Sequence, residues 1–244
     1  MGTRGTYGIR KNGIDKLSYK HYDSYPTGLG AEMVSAVASL QPCDLDFLFD
    51  RIVLVDSQSE PSAEQKAMLS SWNTAGTGSG DWYEALHDLQ GRMDLLFGMA
   101  NECGVAYMPD AADFIKDSLF CEYGYIINLD TGKLEMWVGF QNEPQEGNRY
   151  GHLAYTANAV LNPDDPAEAA QLEAETAADP ESVYYPCALV GEWDLACVKA
   201  HPFGCIDIMK QIDEDERRKR EMVRMFLETR DNVNARLTQA GQTV

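Results

Sequence analysis

The sequence predicts an α+β fold: an antiparallel sheet built from hairpins, covered by helices, with a long helix at the C-terminus. Three observations predict it. Segments 5–22 and 121–140 each place two β-rich runs about a tight-turn signal. Segments 81–104 and 206–240 carry helical patterns of apolar and charged residues. A hydrophobic content of 44% over 244 residues supplies a sizeable core.

The elements follow in order. "GTYGIR" and "IDKLSYKHY" flank "KNG", and Asn-Gly is a strong short turn signal. Asp23 or Ser24 then stands where a cap would start a helix from about Leu29 to Leu40, closed by Pro42. "LDFLFDRIVLVD" is a short apolar element, helix or strand. "SEPSAEQKAMLSSW" opens like a helix, with a cap and an early proline. "NTAGTGSGDW", 73–82, reads as a flexible break ending in an Asp81 cap. It lacks the preceding strand and following Lys of a phosphate loop. From 81 to 104 one helix is expected, with a stripe of Trp82, Leu86, Leu89, Met93, Leu96, Phe97, Met99 and Ala100, ended by Gly104. In the second hairpin Tyr123, Tyr125, Ile126 and Ile127 face Leu134, Met136, Trp137 and Val138 across "DTG". Residues 162–182 form a surface helix bracketed by prolines, and 183–198 one or two strands.

The last segment is one long helix from Ile206 to about Ala240. Asp213 to Glu216 stand four residues before Arg217 to Arg220, the favourable order for i,i+4 pairs worth about 0.2–0.5 kcal/mol each. Residues 213–221 contain no apolar side chain, so the helix is expected to cross solvent there. Met222, Val223, Met225, Phe226, Leu227, Val233 and Leu237 then return as apolar positions. The expected organisation is a single α+β domain over 1–205 and a helix over 206–244, packed on the core or acting as an arm. Residues 222–237 are the candidate contact for a homo-oligomer.

The formal charge of −19, from 39 acidic and 20 basic residues, repels phosphate backbones and anionic lipid. Direct nucleic-acid binding and membrane binding are therefore not expected, whereas a basic protein is a suitable partner. No Lys or Arg falls between Tyr150 and Val198, which makes one face strongly negative. No apolar run approaches the roughly 18 residues of a membrane span, and the N-terminus has no apolar signal region. The six cysteines show no C-x-x-C spacing and the four histidines are scattered, so neither a metal site nor a cofactor is expected. Reduced thiols in a cytoplasmic protein are the expectation.

The densest set of functional side chains lies in "YKHYDSYPTGLG". Strand alternation places Tyr19, His21 and Asp23 on one face, and Arg4 on the partner strand can approach that end. A histidine beside a carboxylate is raw material for acid–base chemistry. The same residues also serve structure, through an Asp23 or Ser24 cap and packed tyrosines. The candidate binding residues are Arg4, His21, Tyr22, Asp23 and Tyr25.

"MGTRG" together with "YKHYDSYPTGLG" resembles a group of uncharacterised bacterial and phage proteins. These open M-G-x-R-G and carry an aromatic-x-H-x-D-S-Y-P-x-G-L-G stretch. The resemblance covers roughly the first 30 residues and, more loosely, 121–140, and it carries no activity. More distantly, the layout is similar to the start of N-terminal-nucleophile amidohydrolases. That resemblance implies a catalytic set of Thr3, Arg4, His21 and Asp23. Gly2 offers no nucleophile, and Thr3 serves only if two residues are removed. The leading expectation is a soluble, acidic, cytoplasmic accessory protein, encoded by a phage or bacterium, that binds a host protein or itself. The alternative is an amidohydrolase, active or degenerate, using the His21/Asp23 end.

Overall fold

The computed structural model describes residues 2–72 and 80–241, with side chains as far as Thr229. Most of the expected break at 73–82 lies outside the described residues.

Strands β1 (Gly5–Lys11) and β2 (Ile14–Lys20) form the first hairpin. Asn12 and Gly13 both take positive φ, 55° and 74°, as a two-residue hairpin turn requires. A π-helical turn, Pro26–Gly30, leads into α1 (Ala31–Ser39). Pro42 does not merely close α1. It is the first residue of α2 (Pro42–Arg51), where its missing N–H leaves no helical bond unmade. The apolar segment beyond it is both helix and strand, because β3 (Ile52–Val55) follows directly. Helix α3 (Ala63–Leu69) opens on a reciprocal cap: Gln65 N–H donates to Ser62 Oγ, and Ser62 N–H to Gln65 Oε1.

The single helix expected over 81–104 is broken into α4 (Trp82–Ala85), a 3₁₀ turn at His87–Leu89, and α5 (Met93–Cys103). Asp81 does cap it, accepting from Glu84 N–H at 3.0 Å. The break centres on Gly91, at φ +82°. A Cβ there would lie 2.5 Å from Glu32 Oε2 and 2.9 Å from Lys20 Nζ, so the chain turns left-handed beneath that ion pair. Strand β4 (Ala106–Pro109), absent from the sequence expectation, pairs in parallel with β3.

The second hairpin is β5 (Tyr123–Asn128) and β6 (Lys133–Val138). A short pair, β7 (Ala154–Tyr155) and β8 (Val160–Leu161), precedes the surface helix α6 (Pro166–Ala178). The Asp165 carboxylate caps α6 through the N–H groups of Ala167 and Glu168. Segment 183–198 holds one long strand, β9 (Ala188–Asp194), and then helix α7 (Leu195–Ala200). Helix α8 (Pro202–Gly241) begins four residues before the expected Ile206.

The main sheet has the order β2-β1-β5-β6-β9. It is mixed rather than antiparallel: β1 and β5 run parallel, while the other three pairings are antiparallel. Each hairpin closes locally, but α1 to α5 lie between the hairpins, so they meet through a crossover. Both faces are covered. Tyr7, Ile9, Tyr125, Ile127, Leu134 and Met136 pack under the helices. Leu17, Ile126 and Trp137 pack under Ile115, Cys121 and Cys187 on the other side. This double covering explains why every residue of β5 is buried and why its sequence reads as a near-continuous apolar run. Among the described residues no helix is long and apolar enough to cross a membrane.

All six cysteines are free; Cys43 and Cys197 are exposed, whereas Cys121, Cys187 and Cys205 are buried. Burial also pushes the Cys121 thiol pKa well up, which lowers its thiolate fraction. Titration with a thiol reagent, without reductant, should find six thiols in denaturant. In native buffer Cys43 and Cys197 should react first and the three buried thiols only on unfolding. Two or fewer thiols in denaturant would contradict the assignment.

Candidate functional site

The two halves of the N-terminal motif meet at one corner of the sheet. Ser24 N–H donates to the Thr3 carbonyl at 3.2 Å, which ties the end of the first hairpin to the start of β1. Asp23 takes φ +55°, and its carbonyl accepts from Leu29 N–H at 2.8 Å. A Cβ on Gly28 would lie 2.0 Å from that same carbonyl. At Gly5 a Cβ would stand 2.6 Å from the Tyr123 carbonyl and 2.7 Å from Ser24 Cβ. The glycines, Ser24 and Pro26 of the motif therefore close the chain tightly onto β1. Neither Asp23 nor Ser24 caps α1. Ser24 is fully buried with its hydroxyl unpartnered, and the π-helical turn replaces the expected cap.

The chemistry-bearing side chains surround this corner. His21 Nδ1 lies 2.6 Å from the Tyr19 hydroxyl, and its ring meets Tyr22 edge-on at 4.2 Å. The His21 N–H donates to Gln90 Oε1. Strand alternation correctly joins Tyr19 to His21, but β2 ends at Lys20 and the left-handed Asp23 leaves the shared face. The Asp23 charge lies beside Tyr25 and raises the pKa of its hydroxyl. Arg4 stacks over Phe120, 4.9 Å from the ring centroid, and its N–H donates to Glu122. Burial raises the pKa of the Tyr19 hydroxyl, a shift that Arg4 opposes. Thr3 is half-buried.

The structure thus brings Arg4, Tyr19, His21 and Tyr22 into one aromatic corner and pairs Asp23 with Tyr25 instead. Phe114, edge-on to Tyr19, and Phe120 complete the corner from a distant loop that carries no sequence signal. A hydrogen-bonded Tyr–His pair flanked by aromatic rings can bind. Among the described residues no carboxylate hydrogen-bonds His21, so no acid–base dyad is formed.

A second polar cluster lies on the loop-covered face of the sheet. Glu135 is 1% exposed and takes both arms of the Arg149 guanidinium, at 2.7 and 2.6 Å. Asn128 Nδ2 and Trp137 Nε1 donate to the same carboxylate. Arg149 also stacks over Trp137 and donates to the Tyr150 hydroxyl, which in turn donates to Asp15. Sequence reasoning missed this cluster.

Helix α8 divides into two parts. Cys205 and Met209 sit in the main core. Asp213 is buried as well, so the charged stretch does not simply cross solvent. The Tyr123 hydroxyl donates to Asp213 at 2.5 Å, and Arg217 donates to both groups. Burial, with Asp213 adding to it, pushes the Tyr123 pKa up to about 12. Of the expected i,i+4 pairs, Asp213–Arg217 and Glu214–Arg218 form. Asp215 and Glu216 pair three residues on instead, with Arg218 and Lys219. Arg220 turns to the body, donating to the Gly139 carbonyl and stacking on Phe140. Past Arg220 the helix leaves the body. Met222, Val223, Met225 and Phe226 are each more than half exposed. Val233 and Leu237 lie beyond the residues whose side chains are described.

No family model, no curated protein and no solved structure matches this chain.

Proposed function

We propose that this chain acts by binding protein, as an acidic cytoplasmic accessory factor whose contact surface is the exposed end of α8. One observation carries the reading. Four apolar side chains within five residues, Met222, Val223, Met225 and Phe226, stand in solvent on an unbroken helix. Full burial of each would contribute about 1.5–3 kcal/mol, so water is a poor final environment for them. The N-terminal resemblance to bacterial and phage proteins supports a phage or bacterial origin, and a host protein is the proposed target. The amidohydrolase alternative has no observation of its own in favour, since His21 is bonded to Tyr19 and Asp23 lies beside Tyr25.

Deleting 222–244 should leave the melting temperature nearly unchanged, with both hairpins folded, when measured at a concentration low enough to dissociate any assembly. The same deletion should abolish association with the partner. A truncated chain that melts far lower would place the end of α8 in its own core and remove this reading.

A further inference from the structure

We propose that Cys197 and Cys205 form a peroxide-sensitive thiol pair, in which oxidation of the exposed Cys197 ends in a disulfide to the buried Cys205. The site lies at the corner where α7 meets α8. It is separate from the exposed end of α8 and does not rest on the binding reading above.

The pair is a product of the bend between the two helices. Cys197 and Cys205 are eight residues apart, which one straight helix would hold at about 12 Å. Pro202 prevents a straight helix, because its ring disfavours the helical conformation in the residue before it. His201 accordingly leaves that conformation, at φ −136° and ψ 56°, so α7 ends at Ala200 and α8 begins at Pro202. Backbone bonds continue across the joint. His201 N–H donates to the Cys197 carbonyl at 2.9 Å, and Cys205 N–H donates to the His201 carbonyl at 3.1 Å. These bonds hold the two cysteines in register across the bend, and their thiols come within hydrogen-bonding reach of each other.

The two thiols differ in access. Cys197 is exposed, whereas Cys205 is 2% exposed and belongs to the main core. An accessible thiol beside a second, resolving thiol is the arrangement that redox-sensing cysteines use. The Cys197 sulfur attacks one oxygen of hydrogen peroxide and the O–O bond breaks, giving a sulfenic acid and water. The Cys205 sulfur then attacks the Cys197 sulfur. The S–S bond forms, the S–O bond breaks, and the hydroxide leaves with the Cys205 proton as a second water. The two sulfurs together lose two electrons and the peroxide gains them. Cys121 and Cys187 also meet, with the Cys187 thiol donating to the Cys121 carbonyl at 3.2 Å, but both are fully buried and shielded from an oxidant in the folded protein. The link at the corner has a mechanical result. Helix α7 follows directly on the edge strand β9, and Leu195 N–H donates to the Gly132 carbonyl in the β5–β6 turn. A disulfide therefore fastens the docked base of α8 to the edge of the sheet.

The test is peptide mapping of the reduced full-length protein after exposure to hydrogen peroxide, alkylation in denaturant, and cleavage after Lys, Arg and Glu. That cleavage separates Cys187, Cys197 and Cys205 onto peptides 182–192, 193–199 and 200–210. Peptides 193–199 and 200–210 should be joined, and dithiothreitol should release them. Peptide 182–192 should be alkylated and unlinked. In Cys205→Ala the sulfenic acid should persist on Cys197 and be captured by dimedone. The oxidised parent should melt roughly 5–10 °C above the reduced one, as the closing of so short a loop predicts. Oxidation of Cys197 without a link to Cys205, or a link from Cys197 to any other cysteine, would overturn the proposal. So would a linked protein that melts lower than the reduced one, because the thiols would then have been drawn together against the fold.

Discussion

Replacing Glu135 with alanine is expected to cost about 3–5 kcal/mol of folding stability. The substitution removes the carboxylate that both arms of Arg149 meet and leaves the guanidinium half-enclosed beside Trp137 and Tyr150. It also strands the side-chain N–H groups of Asn128 and Trp137. Urea unfolding should show the midpoint falling at unchanged slope. A simultaneous change of Glu135 and Arg149 to leucine and methionine should recover the part of the loss due to the unpaired charge, while the Asn128 and Trp137 N–H groups stay without that acceptor. A single variant within about 1 kcal/mol of the parent would show that the pair is not enclosed in solution. The same pair gives stability a pH dependence. Burial alone pushes the Glu135 carboxyl up, but the hydrogen bonds from Arg149 and Asn128 outweigh it and hold the group below the ordinary glutamate value. Its contribution is therefore complete above the unfolded pKa, about 4.3, and is lost as pH falls through the lower folded value. Acid unfolding of the parent should be steeper in that window than unfolding of the double leucine–methionine variant.

Met209→Ala should destabilise the fold by about 2–5 kcal/mol, while Met222→Ala should change it by less than about 0.5 kcal/mol. The two methionines share one helix and one chemistry and differ in burial. Met209 is fully buried in the core that α8 forms against α1, the Pro26–Gly30 turn and β9, whereas Met222 is 69% exposed. Denaturant unfolding at low protein concentration measures both without contribution from association. Equal costs would mean that the helix has no docked half and free half, and the division at Arg220 would be abandoned.

The sequence by itself determined the elements whose signals are local. Asn12-Gly13 specified the first hairpin, and Asp81 and Gly104 marked real helix ends. The alternation in 121–140 specified a second hairpin, and the closely spaced charges of 213–220 gave a helix with its own ion pairs. Of the residues it named, His21 meets Tyr22 in one aromatic corner near Arg4, whereas Asp23 lies beside Tyr25 instead. Tertiary structure decided the rest. Gly91 reads as an ordinary residue of the 81–104 helix, but in the fold it takes φ +82° where Lys20 and Glu32, from elsewhere in the chain, fill the space a Cβ would need. The parallel meeting of β1 with β5, and of β3 with β4, joins segments that no turn connects. Asp213 looks like one more solvated charge of its run, and the Tyr123 hydroxyl together with Arg217 makes its burial tolerable. Glu135 looks like a polar strand residue and is enclosed because Arg149 arrives from the following loop. Propensity, capping and turn chemistry act within about four residues and so are written in the local pattern. Burial and pairing depend on which distant segments share a surface, and that is settled only when the chain closes on itself.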